Sequence, residues 1–147
     1  MMQDISLHLL DVMENSLAAG AAHIDVALWE QGERLHVEIR DDGCGMSEEQ
    51  RIRASDPFYT TKRGKRVGLG LALFAQAARE SGGSLEVVSS RGTGTTVHAV
   101  FLRSHPDCKP VGDVAGTLSL LQLSHPEVEI RYRPGRSPGG GDREAQA

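Results

Sequence analysis

Apolar side chains recur at Ile5, Leu9, Val12, Met13 and Leu17, three or four positions apart, which predicts an amphipathic helix that Gly20 ends. Ile24, Val26 and Leu28 alternate with other residues, as do Leu35, Val37 and Ile39, and Gly32 lies between the two runs. They read as adjacent strands joined by a turn. The stretch Asp41–Met46, DDGCGM, is a tight glycine turn after the second strand, and residues 47–67 suggest a short helix and then a loop. Leu71, Phe74, Ala77 and Ala78 mark a second long helix between Gly68 and the Gly82–Gly83 pair. Residues 85–89 and 95–102 read as strands of a hairpin turned by RGTG. After His105–Pro106, Val114, Leu118 and Leu121 fit one more helix, and Val128, Ile130 and Tyr132 one more strand. The expected architecture is α+β, one layer of helices on a mostly antiparallel sheet. The expected organisation is a domain over 1–105, a helix–strand extension over 106–133, and a disordered tail over 134–147, rich in Pro, Gly and charge.

Composition narrows the function. The 147 residues hold 16 Lys plus Arg against 20 Asp plus Glu, a net charge of −4, so a general nucleic-acid binder is not expected. Aromatic residues are 4%, too few for a base-stacking surface. No apolar run reaches the roughly 18 residues that span a bilayer, and the first residues lack the pattern of a secretory signal. Two cysteines, Cys44 and Cys108, make neither a disulfide framework nor a cysteine metal site, so a reduced cytoplasmic protein is expected.

Four local features carry chemistry. Asp11 and Asn15, four residues apart, share one face of the first helix as a carboxylate and an amide oxygen, a base and a hard-metal ligand in one reading and a solvated face in the other. Asp41 at a strand end can accept a hydrogen bond from an exocyclic amino group, while Gly43 and Gly45 let backbone approach a flat ligand; the plain alternative is a tight turn. In DPFYTTK (56–62) and GKRVGLGL (64–71), Gly68 and Gly70 open a helix whose free N–H groups and dipole suit phosphate, with Lys62 and Lys65 upstream; otherwise this is a glycine-rich connector. GTGT at 92–95 is an ordinary β-turn taken alone. His8, His36 and His98 read as surface or partly buried histidines, and Cys44 as a small filler.

Order and spacing bind these features together. ENSLAAGA resembles the mismatch-repair form of the N box of the GHKL superfamily (gyrase, heat-shock chaperone, histidine kinase and mismatch-repair ATPases). DPFYTTK, GLGLAL and GTGTTV resemble the histidine-kinase form of its later boxes. The resemblance covers residues 5–103 and implies a two-layer α/β sandwich of the Bergerat type that holds ATP and Mg²⁺ under a lid, here residues 54–67. It implies Asn15 as the Mg²⁺ ligand, Asp11 at the position of the catalytic base, and Asp41 as the adenine-binding carboxylate. Gly43, Gly45 and Met46 would line the base, Thr95 would help through water, and Gly68, Leu69, Gly70 and Leu71 would form the phosphate loop with Lys62 and Lys65.

Departures accompany the likeness. Asp11 stands where a glutamate is common, Ala18 where histidine kinases often carry lysine, and Arg66 where the loop commonly has glycine. The N box begins near residue 1, so the phosphoacceptor hairpin of histidine kinases is not expected before it. The reading is therefore a stand-alone phosphotransferase in signal transduction, acting on His or Ser of a separate phosphoacceptor or regulatory protein. Its alternatives are an ATP-driven switch with weak ATPase activity, in which a homodimer would form, and a nucleotide-binding regulator without turnover.

Overall fold

The computed structural model describes the backbone of residues 4–54 and 69–135, and the side chains of these except residues 53, 54 and 69. DPFYTTK, Lys62, Lys65, Arg66 and Gly68 lie outside the described residues, as does the chain from residue 136 on. The elements run α1 (Ile5–Ala18), β1 (His23–Gln31), β2 (Arg34–Asp41), α2 (Glu48–Ala54), α3 (Leu69–Glu80), β3 (Ser84–Ser90), β4 (Gly94–Leu102), α4 (Val114–Ser124) and β5 (Glu129–Pro134).

The five strands form one sheet in the order β3-β4-β2-β1-β5. Three of the four pairings are antiparallel, and β5 joins the edge of β1 in parallel. Register aligns the apolar alternation of every strand on one face. Ile24 and Val26 of β1 lie beside Ile130 and Tyr132 of β5, Val26 also beside Ile39 of β2, and Leu35, Val37 and Ile39 beside Phe101, Ala99 and Val97 of β4. Against this face pack Ile5, Leu9, Val12 and Met13 of α1, Leu71 and Phe74 of α3, and Leu118 and Leu121 of α4, all buried. The result is the two-layer α+β sandwich of the GHKL type. The other face of the sheet is mixed: Asp25, His36, Glu38, Arg40 and His98 lie there with Ala27, Trp29, Val88 and Val100.

The extension is integrated with this core. Pro110 and Val111 carbonyls accept from the N–H groups of Ile5 (2.8 Å) and Ser6 (2.9 Å), satisfying donors that the first turn of a helix leaves without partners. Asp4 caps the same turn, accepting from Leu7 N–H at 3.0 Å. The Gln122 amide ties α4 to β5, donating to the Val128 carbonyl (2.6 Å) and accepting from Ile130 N–H (3.0 Å). Val128 is buried, but it lies in the turn before β5 rather than in the strand, its N–H bonded to the His125 carbonyl.

Candidate nucleotide site

The site forms where the apolar rows of three strands and one helix each end in a polar residue. Asp41 continues the inward row Leu35–Val37–Ile39, and its register partner is Thr95, which ends the inward row of β4. Thr95 in turn faces Ser89 on β3, and their hydroxyls lie 2.8 Å apart. From the helix layer, Ser16 of α1, 3% exposed, donates to Asp41 Oδ2 at 2.7 Å. Gly43 N–H donates to Asp41 Oδ1 at 2.9 Å. Both carboxylate oxygens are thus fixed, one by the helix and one by the turn. A carboxylate accepts several bonds, so an amino group on a ligand can still bind there.

The glycine turn is shaped by close approach. A Cβ on Gly43 would stand 2.9 Å from Ala19 Cβ and 3.2 Å from Asp41 Oδ1. Gly94 has φ +108°, and a Cβ there would collide with the Asp41 carbonyl oxygen. Cys44 N–H bonds to the Ala19 carbonyl at 2.9 Å, and the Cys44 carbonyl accepts from Gly92 N–H at 2.7 Å. The end of α1, the turn after β2 and the β3–β4 hairpin therefore form one unit. Met46 joins it through its N–H, which donates to the Ser89 hydroxyl at 2.7 Å, while its side chain packs on the core. Gly45 adopts φ +74° beside the Ser90 carbonyl.

The second half of the site lies along α1. Asp11 and Asn15, both partly buried, sit one helical turn apart, and Asn15 directly precedes the Asp41-bound Ser16. The first turn of α3 crosses α1 at Asp11: a Cβ on Gly70 would stand 2.6 Å from Asp11 Cβ. Glycine there lets the start of α3 reach α1, and the opening N–H groups of a helix attract anions. Leu71, 3% exposed, turns into the core rather than toward this opening, so its backbone is the part available to a ligand. The structure therefore brings together Asp11, Asn15, Asp41, Gly43, Gly45, Met46, Gly70 and Thr95.

Ser16, Ser89 and Asp42 are additions that the sequence reading missed. The signal for the two serines was present: each sits where an apolar residue continues the periodicity. Asp42 Oδ1 accepts from the N–H groups of Ala22 (2.8 Å) and His23 (2.9 Å), and Oδ2 meets His23 Nδ1 at 2.7 Å. The His23 N–H and ring hydrogen bonds, with the Ala22 N–H, hold the Asp42 carboxyl down at about 2, and the same carboxylate raises the His23 imidazole. This clasp anchors the turn that carries Asp41. His8, one turn before Asp11, is buried and stacks on Phe74 with ring centres 5.9 Å apart. Burial lowers its pKa.

Residues 3–105 match the family described as histidine kinase-, DNA gyrase B-, and HSP90-like ATPase. The chain belongs to this family. It is similar to the nitrogen regulation protein NtrY of Azorhizobium caulinodans, at 30% identity over 116 residues covering 72% of this chain and 15% of the relative. It is similar to the sensor histidine kinase ZraS of Escherichia coli, at 32% identity over 60% of this chain and 19% of that protein. It is also similar to the DNA mismatch repair protein MutL of Thermus thermophilus, at 34% identity over 82% of this chain and 27% of MutL. The chain thus spans under a third of the length of these relatives. What it shares with them is an ATPase-type nucleotide-binding domain. No helix among the described residues is long and apolar enough to cross a membrane.

Proposed function

We propose that the chain binds Mg-ATP and transfers the γ-phosphoryl group to a His or Ser side chain of a separate signalling protein. The observation that carries this reading is the row of polar groups that runs from Asp41 through Ser16 and Asn15 to the Asp11–Gly70 crossing on α1. Adenine would place its amino group on Asp41, with Thr95 and Ser89 alongside and the backbone of the 43–46 turn against its ring. The triphosphate would run toward the start of α3. Among the described residues no set of three carboxylate, imidazole or thiolate groups could enclose a metal ion. Mg²⁺ keeps several waters and takes phosphate oxygens with only one or two protein ligands. Asn15 offers the protein oxygen. When bound, Mg²⁺ would neutralise charge on the phosphates.

With a Ser acceptor, Asp11 would take the hydroxyl proton as the new O–P bond forms and the bond from the γ-phosphorus to its bridging oxygen breaks to release ADP; a His acceptor would attack through its unprotonated ring nitrogen, forming the N–P bond, and give up the proton of the other nitrogen. The chemistry then rests on positioning and on electrostatics. A separate acceptor is supported by four of the six histidines. His8 is buried under Phe74, His23 is clasped by Asp42, and His36 and His98 lie on the opposite face of the sheet. The test is incubation with γ-labelled ATP and proteins that copurify with the chain. Label on one partner, lost in Asn15→Ala, is expected; tight ATP binding with no labelled partner overturns transfer.

A second reading is an ATP-driven switch with weak ATPase activity, favoured by the similarity to MutL over 82% of the chain. It predicts dimerisation on ATP. An unchanged solution mass with and without ATP would rule it out.

A further inference from the structure

The mixed face of the sheet carries an arrangement that the nucleotide site does not use. Trp29 on β1, His36 on β2 and His98 on β4 form a half-buried cluster there. The Trp29 indole stacks on the His36 ring with centres 4.8 Å apart and planes within 6°. His98 leans on both, its ring centre 5.6 Å from that of Trp29 and 5.1 Å from that of His36. Nδ1 of His36 and Nε2 of His98 face each other at 2.9 Å. His36 lies five residues from Asp41 on β2 and on the other face, about 16 Å along the strand.

We propose that this cluster is a second binding site, for a divalent transition-metal ion of the imidazole-preferring kind (Cu²⁺, Ni²⁺ or Zn²⁺), held by His36 Nδ1 and His98 Nε2 with water in the remaining positions. The geometry supports it in three ways. First, imidazole nitrogen binds such ions at about 2.0–2.1 Å, which puts each ring centre about 3.2 Å from the ion, and two rings at a tetrahedral angle then stand about 5.2 Å apart. The observed separation is 5.1 Å, so the rings need only turn in place to aim both nitrogens at a common point. Second, stacking on Trp29 holds the plane of the His36 ring, so a small turn within that plane keeps the stack. Third, His98 pairs in register with Glu86 on one side and Glu38 on the other, which flanks the pair with two carboxylates and favours a cation. Glu38 is turned partly toward Arg40, 3.3 Å away, and is not counted as a ligand. Among the described residues no third side chain completes the set.

With Nδ1 turned to His98, His36 Nε2 is buried without a hydrogen-bond partner. In the metal-bound form the ring proton resides on that nitrogen and both facing nitrogens are free to ligate.

Trp29 is the one tryptophan in the chain, so its fluorescence reports this site alone. Titrating the full chain with Ni²⁺ or Cu²⁺ should give saturable quenching with one ion per chain, reversed by chelator and by acidification as the imidazoles protonate. His98→Ala and, separately, His36→Gln should raise the midpoint at least tenfold while circular dichroism and ATP binding stay unchanged. Quenching that is non-saturating, or that keeps its midpoint in both variants, overturns the proposal, the second result assigning it to other histidines or to the cysteines. Should a variant fail to fold, the unaltered chain still decides: Zn²⁺ must raise its melting temperature at neutral pH and lose that effect at pH 5, and no rise at neutral pH overturns the site.

Discussion

At the scale of single residues, the proposed nucleotide reading rests on Asp41, a carboxylate held on both oxygens. Asp41→Asn keeps the shape but turns an N–H₂ toward either the Ser16 hydroxyl or the Gly43 N–H, both of which donate to it now. ATP affinity should fall at least tenfold, about 1.4 kcal/mol, in calorimetry. Stability should fall by about 1–3 kcal/mol, because a buried donor loses its acceptor. The Asp42–His23 clasp makes a pH prediction with two limbs. The carboxyl is lowered from 3.8 to about 2, so its contribution is complete above 3.8 and vanishes as pH falls through 2. The imidazole is raised above 6.5, so its contribution is complete below 6.5 and is lost as pH rises through the folded value. Melting temperature should therefore peak between these limits, and Asp42→Ala should flatten both limbs. The amplitude should be small and salt-sensitive, since both groups are exposed.

At the scale of elements, the site depends on backbones that touch. Gly94 combines φ +108° with contact against the Asp41 carbonyl, so Gly94→Ala strains its own backbone and pushes β4 from β2. A cost of roughly 1–3 kcal/mol from the backbone alone is expected, with loss of nucleotide binding in the same variant, measured by thermal melting and calorimetry. The helices were legible in the sequence because α1 and α3 each turn a continuous apolar stripe to the buried face of the sheet. The strands were legible because their alternation is uninterrupted from Leu35 to Ile39 and from Val97 to Phe101. Val128 was assigned to β5 on the same logic and lies before it: the side chain is buried by a turn, and burial alone does not distinguish a turn from a strand. Ser16 and Ser89 escaped notice because a small hydroxyl in an apolar row reads as a tolerated interruption. Only the meeting of α1, β2, β3 and β4 shows that the interruptions coincide.

At the scale of the whole molecule, the extension supports the helix that carries Asp11 and Asn15. A chain ending at residue 105 loses the carbonyls of Pro110 and Val111 that satisfy the start of α1, and it uncovers β1 along its β5 edge. It also loses the burial of Val114, Leu118, Leu121 and Val128. Full burial of such side chains is worth about 1.5–3 kcal/mol each. The shortened chain should melt well below the full chain or unfold without cooperativity in calorimetry. Gln122→Leu is a milder probe, since it leaves the Val128 carbonyl and Ile130 N–H without their partner while keeping the side-chain volume. A loss of about 1–3 kcal/mol is expected in denaturant unfolding, with the nucleotide site intact.

The sequence by itself determined the elements and the chemical identity of the groups at their ends, because periodicity and side-chain type are local properties. It also carried the order of the boxes that mark an ATP-binding domain. Tertiary structure alone decided that β5 runs parallel on the edge of β1, that Ser16 of α1 holds an oxygen of Asp41, that Gly70 admits α3 onto Asp11, and that His36 and His98 meet across two strands over Trp29. Each of these is a contact between residues far apart in the chain. Register and layer packing set such contacts, and no window along the sequence contains them.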